Sequence, residues 1–324
     1  MVDSAQMTRI LKRLSPRCPS SSPSAVELEG SDVDTIELTR RTYWGALLLE
    51  KQVYVGICSL IIINSICSEI TCQFDVAKSS IWRLDEHVPL PACHHVWKYI
   101  PDDALPGAKS DISNGTMSIG LDKGDSGSFF LAEIAMRRML HRCNTAVKAT
   151  RSGKYVYAPA IALELERQLE EWYSYLPEMN RFERGDASVP LEQTNFLRVQ
   201  YYCCKLSIYW PAIFQVIQDG KATPLLLEHC QIFFDSYLQV TPSILAAFHN
   251  CVAHRWTLFI TIFTNTVAVM SAAHTACLEE FFSDQLYQCL SVSGHADQTI
   301  LQRSPSLMML QGVLEERLMK AGLW

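Results

Sequence analysis

FFLAEIAMRRMLHRCNTA, residues 129–146, decides the fold class. Phe129, Ala132, Met136, Met139, Cys143 and Ala146 recur at intervals of 3, 4, 3, 4 and 3. That is the repeat of one face of an α-helix. Glu133, Arg137 and Arg138 fall off the stripe, so the segment reads as an amphipathic helix with its apolar face buried.

Working outward, the same period recurs. Pro159 stands where a helix starts, since the N–H it lacks would be unsatisfied there anyway. Ile161, Leu165, Leu169, Trp172 and Leu176 form its stripe, with Glu164, Glu166, Arg167, Glu170 and Glu171 mostly outside and Pro177 as the stop. Leu197, Tyr201, Cys204 and Ile208 mark a helix expected to run up to Pro211. Pro224 opens another, with Leu227, Cys230, Phe234 and Tyr237 on one face, and a further apolar helix is expected after Pro242. Upstream, Leu38, Thr42, Trp44, Leu47, Leu48 and Lys51 keep a helical register over 38–55, with Thr39 as the N-cap. Residues 85–91, with two prolines, and 101–128, rich in Gly, Asp and Ser, read as loops. Residues 291–306 read as a loop and 307–320 as a short last helix. No window alternates with period two. The expected fold is all-α, a large irregular array of about six to nine helices with no sheet.

Composition agrees. Of 324 residues, 48% are apolar and 19% charged, below the roughly 25% charged share of ordinary domains. Such a chain has much core to bury, which excludes wholesale disorder. Its length fits two units or one large one. A net charge of −6 is no electrostatic clamp for nucleic acid. Residues 1–25 read as a disordered tail. Arg9, Lys12, Arg13 and Arg17 outnumber Asp3, with Met7, Ile10, Leu11 and Leu14 at helical spacing, before a Ser/Pro-rich linker at 15–24. A presequence or a nuclear-import patch shares that pattern. Residues 57–66 are too short to span a bilayer. Residues 256–273 carry no charge and are long enough, but their threonines and Asn265 suit a buried central helix better than a membrane span.

No constellation supports catalysis. Asp85-Glu86-His87 and His94-His95 are consecutive residues that cannot converge in an extended segment, and Cys203-Cys204 face different sides of a helix. The twelve cysteines are scattered without a CxxC. Cys67-x4-Cys72 has no second pair at finger distance, so the thiols read as structural and no zinc is expected. Gly124-Asp125-Ser126-Gly127 precedes a helix, where an anion can sit, but loop punctuation explains it as well. The chain is expected not to be an enzyme.

Five segments, in order, resemble one family. RRTYWGALLLEK (40–51), WRLDEHVPLP (82–91), FFLAEIAMRRMLHR (129–142), LERQLEEWYSYLP (165–177) and FLRVQYYCCKLSIYWPAIF (196–214) are similar to the fungal-specific transcription factor domain. That domain is the regulatory middle region of fungal zinc-cluster (Zn2Cys6) activators. The resemblance implies a helical regulatory domain over residues 26–290, followed by a loop and short C-terminal helix at 291–324. It marks Arg40, Arg41, Trp44, Asp85, Pro89 and Pro91 as signature residues with structural roles. Arg40 and Arg41 would form an ion-paired cap with the acids of 27–37. Trp44 would anchor a core, and the prolines would lock an extended exit.

Two departures qualify it. The six-cysteine cluster that holds the family's two zinc ions is missing, since residues 1–38 contain only Cys18. No cofactor is therefore expected in this chain, and DNA would be reached only indirectly. Residues 53–66 read as an insertion into a helix that the family continues directly. The resemblance implies regulation of RNA polymerase II transcription, with a metabolic gene cluster as the expected target. Other transcription factor subunits or co-regulators, and a small-molecule effector, are the expected partners, and the nucleus is the expected location. The alternatives are a soluble all-α ligand- or partner-binding protein in the cytoplasm without a DNA role, and a membrane-associated protein through 256–273.

Overall fold

A computed structural model describes residues 37–45, 88, 90–91, 125–145, 156–184, 193–250, 254–295, 298–302 and 304–323. Among these the protein is 83% helical, with nine α-helices and no strand. They are α1 (37–45), α2 (Asp125–Thr145), α3 (Pro159–Ser174), α4 (Gln193–Asp219), α5 (Pro224–Asn250), α6 (Arg255–Ala272), α7 (Asp284–Ser293), α8 (Gln298–Leu301) and α9 (Pro305–Lys320). Two 3-10 turns, Glu178–Asn180 and Ala276–Phe281, complete the order. The all-α expectation holds.

The centre is the pair α4 and α5, which pack on each other more extensively than any other two elements. The connection 220–223 turns the chain back between them. Gly220 has φ 63°, a left-handed conformation that glycine adopts without a Cβ clash, and its N–H caps the Val216 carbonyl at 2.9 Å. Thr223 then starts α5, its Oγ1 accepting from the Leu226 N–H at 3.3 Å, with Pro224 in the first turn. α2 and α3 cover α4 from one side, and α6 lies against α5 and α4.

Several sequence boundaries shift. α4 continues through Pro211 to Asp219, and α5 runs through Pro242 to Asn250. An interior proline costs about 3 kcal/mol. Around Pro211 the burial of Trp210, Ala212, Ile213 and Phe214 offsets that cost, so the proline does not terminate the helix. α2 starts at Asp125, inside the span 101–128 read as loop, and α1 is already helical at Glu37, which leaves Thr39 within the helix rather than capping it. Downstream of Ser293, the span 291–306 is broken by α8, and α9 starts at Pro305. Leu301, Leu307, Leu310, Leu314 and Leu318 join the same apolar core as α4 to α6. The C-terminal helix thus packs into this core.

α6 is buried over most of its surface, with Thr257, Thr261 and Asn265 half-buried along one face. Leu258, Phe259, Ile260, Ile262, Phe263, Val267 and Val269 are buried, together with Thr264 and Thr266. Thr261 Oγ1 donates to the Thr257 carbonyl at 2.8 Å, and Asn265 Nδ2 to the Thr261 carbonyl at 2.7 Å, so these polar groups are satisfied within their own helix. Among the described residues, no helix is long and apolar enough to cross a membrane.

Candidate functional site

The stripe of α2 turns Met136, Met139 and Leu140 into the core, and Arg137 goes in with them. Its spacing puts Arg137 off that buried face, yet the structure leaves it only 5% exposed. It borders a cavity of about 30 Å³ between α2, α4 and α6, whose other walls include Phe196, Gln200, Cys203, His254 and Thr261. Arg137 Nε has no hydrogen-bond partner, and neither has Oε1 of Gln200, which is 3% exposed. The far end of the same amide is engaged, Gln200 Nε2 donating to Glu133 Oε1 at 3.4 Å. A buried polar group without a partner costs about 1–3 kcal/mol, more when charged, so two among the residues lining one cavity are unusual.

The electrostatics follow from burial. Desolvation lowers the Arg137 pKa, and the Glu133 carboxylate one turn earlier opposes it through space. Glu133 is itself raised by burial, with Arg137 and the Gln200 amide pulling the other way. The Cys203 thiol is pushed up to about 12 by burial, against the pull of Arg137, and is therefore no thiolate nucleophile. His254 stacks on Phe196 with ring centroids 4.4 Å apart. Burial, then Arg137, lowers its pKa to about 4, so the ring is neutral at physiological pH.

A second polar cluster joins α3 to α4. Lys205 Nζ lies 3.3 Å from Glu166 and 3.6 Å from Glu170. Tyr209 donates to Glu166, and Tyr201 to Glu170. Arg184 pairs with Glu170 at 2.5 Å and sits 3.6 Å above the Tyr173 ring. Burial pushes Glu170 up, but the Tyr201 hydroxyl, Arg184 and Lys205 outweigh it and hold the carboxyl below its ordinary range. Every member answers another, so this cluster clamps the two helices together and leaves no reactive group. Nearby, Tyr157 O–H meets Nδ1 of the buried His229.

Among the signature residues, Trp44 is fully buried, 5.3 Å from Tyr43 and beneath the Arg138 guanidinium at 4.8 Å. Arg41 pairs with Glu37 at 2.9 Å, and Arg40 reaches the same carboxylate at 4.0 Å. Pro91 is buried; Asp85 and Pro89 lie outside the described residues, as do Asp85-Glu86-His87, His94-His95 and 53–66. Cys203 and Cys204 diverge: Cys204 is buried with its Sγ 3.3 Å from Met136 Sδ, whereas Cys203 borders the cavity. Among the described residues, no group of three or more His, Cys, Asp or Glu could hold a metal ion. Arg137, Gln200 and His254 were not singled out by sequence, because only the crossing of α2, α4 and α6 brings them together.

The chain is similar to the protein named "Putative transcription factor ecdB" of Aspergillus rugulosus. The two are 46% identical over 290 residues, which cover 83% of this chain and 53% of that protein. The chain thus spans about half the length of the curated relative it matches. No family model matches the chain, and no solved structure matches it.

Proposed function

We propose that this chain is a helical regulatory body of a fungal zinc-cluster-type transcription factor. It acts in the nucleus on RNA polymerase II transcription and carries out no catalysis of its own. The observation that carries this reading is the 46% identity to a protein named as a transcription factor, sustained over 83% of the chain. The ordered run of five signature segments supports it, and so does the all-α architecture. In this reading the core of α4, α5 and α6 is the rigid part that contacts with co-regulators or other subunits act upon. The net charge of −6 leaves direct engagement of duplex DNA to a basic module in cis or in trans. Regulation of a metabolic gene cluster is the finer form of the proposal.

Nascent-transcript profiling tests it. The full chain, fluorescently tagged and induced in an Aspergillus host, should enter the nucleus and change a limited set of transcripts within one induction period. Exclusion from the nucleus, with an unchanged transcript profile, would refute the proposal.

A further inference from the structure

We propose that the cavity at Arg137 and Gln200 is a binding site for a small oxyanion that still carries one O–H, of the size of bicarbonate or of the carboxyl end of a hydroxy acid. Two residues that line this cavity from different helices each carry an orphaned atom, and the two are of opposite character. Arg137 Nε is a charged donor without an acceptor, and Gln200 Oε1 is an acceptor without a donor. Both side chains are more than nine-tenths buried. A guanidinium offers adjacent N–H groups as a planar fork that matches two oxygens of a carboxylate-type anion. The free Nε is the edge on which that fork would be engaged. Gln200 cannot turn its other end to the anion without giving up Glu133, because Nε2 already donates there. Its Oε1 therefore selects a ligand that donates. A plain anion satisfies the arginine and leaves the glutamine orphaned; a hydroxyl-bearing oxyanion satisfies both.

Size narrows the class. About 30 Å³, at ~10–15 Å³ each, is room for two or three water-sized groups, so the part of the ligand within the cavity is a head group of a few heavy atoms. The surroundings tolerate a negative charge. His254 is neutral, the Cys203 thiol is protonated, and Thr257 and Thr261 add hydroxyl-bearing walls. Glu133 is the opposing charge; it is not among the lining residues, and it is bonded to Gln200 Nε2 rather than to the orphaned oxygen. The site joins three helices, α2, α4 and α6, so its occupant would brace their crossing. This inference is independent of the transcription reading, since it concerns the helical body whatever that body regulates.

The test uses 13C-labelled bicarbonate at mildly alkaline pH and constant ionic strength, titrated with the full chain and read by NMR line broadening. Wild-type protein should broaden the signal saturably. Nitrate, with the same planar shape but no O–H, should compete at least about tenfold more weakly, because a site built around a ligand hydroxyl rejects the analogue without it. Q200L should erase that preference, and R137M should abolish the broadening while keeping the wild-type helical circular dichroism. If R137M does not fold, the Q200L comparison decides. Glycolate that displaces bicarbonate identifies an organic hydroxy acid as the source; failure to displace it identifies bicarbonate itself. Absence of saturable broadening with wild-type protein, or equal competition by nitrate, overturns the proposal.

Discussion

Phe259→Ala probes the largely buried helix on which the architecture depends. Phe259 is 1% exposed, and its ring lies 6.1 Å from that of Phe248 on α5. An aromatic of this kind buries at least ~150 Å². At ~25 cal/mol per Å² that removes about 4 kcal/mol of transfer free energy, within the range of about 3–5 kcal/mol found for Phe→Ala in cores. For a domain whose whole stability is ~5–15 kcal/mol, the loss is severe. At ~2–4 °C per kcal/mol for a domain of this size, the midpoint should fall by about 6–20 °C. Urea unfolding of the full chain, followed by circular dichroism, gives the number directly, with the midpoint moving and the slope unchanged. A loss under about 1 kcal/mol would refute the packing of α6. Recovery of wild-type protein only from a detergent-extracted membrane pellet would restore the reading of 256–273 as a membrane span.

Other elements make separate predictions. Tyr237→Phe removes a buried hydroxyl that meets Thr266 Oγ1 at 2.8 Å and Ser293 Oγ at 2.9 Å, and should cost about 1–2 kcal/mol in the same urea assay. Glu170→Gln should loosen the α3–α4 clamp. Because the folded carboxyl sits below its ordinary range, its contribution is present above the unfolded pKa and is lost as pH falls through the folded one. Wild type should therefore lose more stability than Glu170→Gln when pH is lowered through the carboxylate range. His254 acts through burial of its neutral form: its pKa falls from 6.5 to about 4 on folding. The unfolded chain then binds the extra proton, so stability should decline as pH drops from 6.5 towards 4 and level off below. His254→Phe, which keeps a ring against Phe196, should flatten that interval; an unchanged profile would contradict the assignment.

What the sequence discloses and what it conceals divides along physical lines. The stripe of Leu197, Tyr201, Cys204 and Ile208 is legible because a helix with one buried face must repeat at that spacing, and all four are buried. Ile161 has the same spacing yet is 45% exposed, since it lies in the first turn of α3, where the stripe has no neighbour to cover it. Pro211 and Pro242 read as boundaries because proline opposes helix locally, whereas tertiary burial carries α4 and α5 through them. Arg137 reads as solvent-facing because charge normally is. Its burial depends on α4 and α6 arriving from far along the chain, and only the buried neighbours Met136 and Leu140 hint at it. Glu166 and Glu170, expected on the outer face of α3, instead meet Tyr209, Tyr201 and Lys205 of α4. Nothing in the periodicity of one helix can show a partner supplied by another.

Tethered transcription tests the central claim most directly. The full chain, fused to an unrelated DNA-binding domain and directed to a reporter promoter in a fungal nucleus, should raise or lower reporter transcript several-fold relative to the DNA-binding domain alone. Phe259→Ala, which weakens the core without abolishing the fold, should reduce that effect. A fusion that accumulates stably in the nucleus, occupies the promoter and leaves the transcript level unchanged would contradict the account.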